Sequence, residues 1–343
     1  MRLKKKHFIL VAVFVILVIG FWLLICFNKR KNGICQTHFK MAFIYLLEND
    51  LNQQTNTEKL EQTKKISEEV FNYAGRGFIT LDLSYPVVKI KINNQNKDRL
   101  LYTDPNNLAI YLKDQGIVKE FYINNPDEFD FISIFTNFKI GAGASEAFHA
   151  LLQNKVEGIG MGMRWDNSAN YGSKGKLLGY NYMGDVNLIF TSEFPEERSY
   201  YMIGSLLLQE TVHQWGAFIG DQDGSSGDLF LQHASGAHWS PGLNTGYDPL
   251  GGGDWQDNGD GTFTLKPHAS YWWGGEGINN SLFKEVFSDL TLYLIGAVSK
   301  EKVNPILKVN YAGVLIPGTT ITSEKKYITI DEIISKHGVR LCR

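Results

Sequence analysis

The sequence predicts an α+β body behind an N-terminal transmembrane helix. Residues 8–27 form an unbroken apolar run of 20, long enough to cross a bilayer. Strand-like alternation dominates the first half of the body. Helical periodicity returns at 195–216 and at 281–298, separated by a loop-rich stretch.

Charge supports the first element. Residues 1–31 hold seven of the 34 Lys and Arg and no acid, which leaves 27 bases against 36 acids in the remainder. An acidic body with a basic, membrane-flanking end excludes nucleic acid as the expected partner. The apolar run ends Leu23-Leu24-Ile25-Cys26-Phe27, without the small-residue site that signal cleavage needs. It therefore reads as an uncleaved anchor with basic flanks over residues 1–31, the membrane as partner through residues 8–27, and the body outside the cytoplasm. Of the three cysteines, Cys35 and Cys342 bracket the body. They read equally as a disulfide across meeting termini or as two free thiols.

Polar helical character over 32–75, with Glu58, Glu61 and Glu68 among lysines, reads as a stalk. Residues 76–124 read as a small β-rich lead-in, because 77–83 and 87–92 alternate and end in Asn93-Asn94-Gln95-Asn96. The domain from 125 to 343 adds expected strands at 130–135, 158–163 and 185–190. A helix from Pro195 follows, with Pro at its first position and Glu196 and Glu197 at its positive dipole end.

That helix carries the segment Gln209-Glu210-Thr211-Val212-His213-Gln214-Trp215-Gly216. It departs by one residue from H-E-x-x-H, in which two His four apart face one tetrahedral metal and the Glu acts as general base. Here Glu210 is the candidate catalytic residue and His213 a candidate zinc ligand. Gln209 fills the first ligand position as a weak donor, since a neutral amide oxygen competes poorly with imidazole. For the third ligand the candidate is His238, with His233 in reserve. Other known spacings fail, because Ile219 and Gln232 occupy the positions where a His or a Glu would be needed.

Around this segment the chain resembles a group of bacterial secreted zincin-like proteins whose helix reads H-E-x-x-H-x-W-G. The resemblance rests on Gln209–Gly216, His238-Trp239, Gly251–Trp255 with Asn258-Gly259-Asp260-Gly261, and Phe287–Gly296. The strand at 130–138 and the closing segment at 328–338 extend it to roughly residues 125–340. It implies a zincin-like domain, in which a sheet and a ligand-bearing helix stand over a loop-rich lower part, and a peptidase ancestry with zinc as cofactor. The departures are Gln209 for His and Val212 for a smaller residue. Two functions follow as expectations. One is a zinc-dependent peptidase with an atypical metal site, acting on a peptide or protein substrate. The other is a non-catalytic module that grips a surface polymer or protein partner through Trp239, Trp255 and Trp272.

Overall fold

The first strand lies where the sequence reads as a stalk. His38–Leu47 (β1) is the inner strand of a mixed sheet, and residues 41–47 are all buried. Met41, Phe43, Tyr45 and Leu47 enter one core, while Ala42, Ile44 and Leu46 enter the other. A strand covered on both faces loses the polar alternation that would reveal it. In the computed structural model the described residues are 35–141, 147–159, 161, 163–190, 195–219, 237–267 and 285–342.

Helix α1 (Gln53–Ala74) follows β1 and returns Leu60, Val70, Phe71 and Ala74 to the first core. Two short strands, β2 (Thr80–Asp82) and β3 (Val88–Lys91), then pair parallel with β1, one after the other along the same edge. Residues 76–124 therefore extend the central sheet, and helix α2 (Asp114–Asn124) covers its second face through Ile117, Val118 and Phe121. On the other side of β1 lies β4 (Phe131–Thr136), parallel, with Met41 opposite Phe131. The edge strand β5 (Phe148–Leu151) runs antiparallel to β6 (Gly179–Asp185), which is itself parallel to β4. Helix α3 (Glu196–Val212) packs beside α1 on the first face, contributing Ile203, Leu207, Leu208 and Val212.

Two expected strands resolve differently. Gly158 and Ile159 have φ of +80° and +50°, so the chain turns there. The neighbouring pair Val156–Glu157 instead bonds to Leu341–Cys342 at the C-terminus. Asp185 closes β6 and accepts the Asn187 N–H, capping a helical turn over Val186–Ile189.

The remaining chain builds a second layer. Strands β7 (Trp239–Asn244) and β8 (Gly251–Gly253) pair parallel, and helix α4 (Asp289–Ile295) starts at Ser288, whose side chain accepts the Thr291 N–H. Strands β9 (Ile306–Lys308) and β10 (Lys326–Ile328) complete a sheet in the order β8-β7-β9-β10. Helix α5 (Ile330–His337) opens with a full capping box between Thr329 and Glu332. The Arg340 guanidinium donates to the Leu294 and Ile295 carbonyls, closing the C-terminal end of α4.

The architecture corrects the expected fold class. It is a mixed α/β arrangement, with a largely parallel sheet sandwiched by helices and several smaller sheets, in place of the expected α+β body. Among the described residues no helix is long and apolar enough to cross a membrane, and the run at 8–27 lies outside them.

Candidate functional site

The C-terminal turn of α3 brings the motif to the rim of the first core. Leu208 and Val212 face inward, and Trp215 stacks its edge against Phe131 at 5.7 Å and lies 5.0 Å from Phe39. This burial turns Gln209 and His213 to a half-open side, while Glu210 sits deeper, 5% exposed. His213 is the first residue past the helix, and its Nδ1 donates to the Gly216 carbonyl at 3.2 Å. The lone pair of the neutral ring is therefore on Nε2.

His238 arrives from the opposite direction. Ala217 N–H donates to the Ala237 carbonyl, which ties the chain leaving α3 to the chain entering β7. Trp239 then anchors the strand: its N–H donates to Leu250 O at 2.7 Å and its indole N–H to Thr291 Oγ1 at 3.2 Å. The seat below it needs glycine, since Gly251 and Gly252 hold φ of +98° and +86°. Asp248 stabilises that seat, accepting the Leu250 and Ser288 N–H groups, and burial raises its pKa to about 6.

The result brings His238 against a helix end that lies 25 and more positions before it. The His213 and His238 rings meet edge to face at 5.0 Å, and Gln209 Nε2 lies 3.3 Å from His238 Nε2. Glu210 is the next residue along the helix. Burial lifts its carboxyl pKa to about 7, opposed by the backbone N–H of His149. Burial likewise lowers His213 to about 4, with the Gly216 carbonyl opposing and His149 adding to the effect.

Zinc can be tested against this donor set. Among the described residues no group of three or more His, Cys, Asp or Glu is placed to hold a metal. What converges is two imidazoles and one amide, whose oxygen faces His238 only after the amide turns over. The chemistry suits zinc, with two nitrogen donors and a weak oxygen donor, and is one strong ligand short of a closed catalytic set. His233 lies outside the described residues.

The aromatic residues need correction. Trp239 and Trp255 are 1% and 2% exposed, and the Trp255 indole donates to the Pro241 carbonyl. Both are packing and positioning residues, because a ring with no free face has nothing to offer a ligand. Trp272 lies outside the described residues.

One residue beside the site, His149, reads from the sequence as a surface or packing residue on a helix, and the structure sets it on a strand. His149, on the edge strand β5, sets Nδ1 2.7 Å from Asn181 Oδ1 and Nε2 3.0 Å from Gln214 Oε1, and a neutral ring donates to only one of these two oxygens. Burial lowers its pKa, and both amide oxygens oppose that. No local pattern marks it, since its partners lie 32 and 65 residues away.

No protein-family model matches this chain, and no curated protein matches it.

Proposed function

We propose that this site is a hydrolase site of the zinc-peptidase type with a weakened metal grip. The observation that carries the reading is the meeting of Gln209, His213 and His238, with the buried acid Glu210 next along the helix. Residues from a helix end and a distant strand converge on one spot, in the roles that the H-E-x-x-H chemistry requires. His213 and His238 would hold zinc through ring nitrogens, with Gln209 as the weak third donor. The ion would supply Lewis acidity at a scissile peptide carbonyl.

The chain's own groups suit the proton work. With a pKa of about 7, Glu210 exchanges protons readily near neutral pH, as a general base for water and a general acid for a leaving amine must. His213, lowered to about 4, stays neutral and keeps its lone pair available. The resemblance to secreted zincin-like proteins supports the same reading and a polypeptide substrate.

A second reading has its own observation. The Gln209 amide nitrogen already engages His238 Nε2, the atom that a metal would need. A cleft closed in this way serves as a non-catalytic binding module for a polymer or protein partner. Zinc stoichiometry together with cleavage of casein separates the two. Zinc uptake and chelator-sensitive cleavage lost in Glu210→Gln support the hydrolase. A zinc-free protein that leaves casein intact after zinc is supplied rejects it.

A further inference from the structure

Asn181 of β6 and Thr211 of α3 share a hydrogen bond buried between the sheet and the helix that carries the site. Asn181 Nδ2 donates to Thr211 Oγ1 at 3.0 Å, and both residues are fully buried. The direction of the bond is settled by the other partners of the two groups. The Thr211 hydroxyl spends its proton on the Leu207 carbonyl at 2.6 Å, one turn back, so its oxygen is left to accept. The Asn181 amide nitrogen also donates to Ser133 Oγ at 3.2 Å on β4, whose own hydroxyl points to Met41 Sδ at 3.1 Å on β1. A line of polar side chains thus crosses three adjacent strands and ends on the helix.

Its end point matters for the site. Gln209 and His213 are each two residues from Thr211, so each stands about 200° from it around the helix axis. Thr211 is therefore at the back of the helix, against the sheet, while the pair on the opposite side meets His238. Its neighbours on the buried side are Leu207, Leu208 and Val212. Apolar packing of these residues favours burial of the face without fixing its angle, because hydrophobic attraction is non-directional. A hydrogen bond is directional, and weakens steeply when its donor and acceptor are turned apart.

We propose that Asn181 and Thr211 are positioning residues: their buried hydrogen bond sets the rotation of the last turn of α3 and so aims Gln209 and His213 at His238. The functional meaning rests on the hydrolase reading, while the aim itself is testable without zinc. Gln209 and His213 lie only about 40° apart around the axis, so a rotation of this turn carries both away from His238 together. Valine at 211 keeps the shape of threonine and removes the oxygen, which leaves a buried Asn181 N–H unpaired and the turn free to shift.

The test uses the full chain with carbon-13 in its eight histidine rings. His213→Gln and His238→Gln identify the two signals of interest. In the unaltered protein these rings, with centroids 5.0 Å apart, should share a nuclear Overhauser cross-peak. Thr211→Val and Asn181→Leu should each erase it, whereas Thr211→Ser, which keeps a hydroxyl, should preserve it. Ser133→Ala leaves the bond to the helix in place and should preserve it too. Zinc affinity should fall roughly tenfold in Thr211→Val and recover in Thr211→Ser, at the lower end of what outer partners of a metal ligand contribute. The proposal is overturned if the cross-peak is missing from the unaltered protein, survives in folded Thr211→Val, or disappears in Thr211→Ser or Ser133→Ala as well. If Asn181→Leu does not fold, Thr211→Val decides alone. A chain that shows the expected cross-peaks but takes up no zinc refutes the hydrolase reading and leaves the positioning role standing.

Discussion

Gln209 and His238 meet through their side-chain nitrogens, 3.3 Å apart. Two nitrogens at that distance bond only if one donates, and an amide nitrogen has no lone pair to accept with. His238 Nε2 is therefore the acceptor, and its ring proton is on Nδ1. The lone pair that faces Gln209 is the one a metal would use, so metal entry must break this bond.

Replacing Gln209 with His tests that competition. The Gln209→His chain recovers an i,i+4 imidazole pair on a helix face. Zinc affinity should rise at least about tenfold to a hundredfold, the range in which even outer partners of a metal ligand count. His213→Ala should abolish zinc uptake and His238→Ala should weaken it strongly. Equilibrium dialysis against buffered zinc reads all three, and a Gln209→His affinity equal to that of the unaltered chain would sink the metal-site reading.

Glu210 should cost stability at high pH. Its folded pKa of about 7 lies above its ordinary 4.5, so the folded chain holds this proton more tightly than the unfolded one. The associated stability is fully present below about pH 4.5 and is lost as pH rises through 7. His213, lowered to about 4, acts in the opposite sense, losing stability as pH falls through its folded value, but it is common to both proteins compared. Glu210→Gln should therefore be more stable than the unaltered chain at pH 8, by on the order of 2–3 kcal/mol at about 1.4 kcal/mol per pH unit. The advantage should nearly vanish at pH 4.5. Urea unfolding at the two pH values decides, and equal midpoints at pH 8 would count against a buried acid.

The buried tryptophans should reveal themselves through stability. Trp239→Ala and Trp255→Ala each remove a fully packed ring and should lower unfolding free energy by about 3–5 kcal/mol. Trp239→Ala should also loosen His238 and reduce zinc uptake, which Trp239→Phe should largely preserve. An unchanged melting temperature in Trp255→Ala would return that ring to the surface role the sequence suggests.

Cys35 is disulfide-bonded, and the Arg340 guanidinium rests on its sulfur. Denatured, unreduced protein should take up one thiol label, and reduced protein three, matching the three cysteines of the chain. Cys35→Ser should cost about 2–5 kcal/mol. Three labels without reductant would refute the bond. A persistent disulfide would also place the body in an oxidising, extracytoplasmic compartment.

How much the sequence discloses depends on how local the cause is. Helix α3 was legible because Pro195, Glu196 and Glu197 mark its start, and Leu208 and Val212 mark its buried stripe. The strand at 131–136 was legible because its short apolar run is buried throughout. Strand β1 was not, because burial on both faces erases alternation, and the chain around it reads as a polar helix. The one-letter departure at Gln209 and the pairing of His213 with a distant His are statements that the linear sequence alone suffices to raise. That Trp239 and Trp255 are packed away and that His149 is seated against Gly179 were decided only in the folded chain. Side-chain identity sets which chemistry is available, whereas burial and hydrogen-bond partners come from residues far along the chain, and no local pattern encodes them.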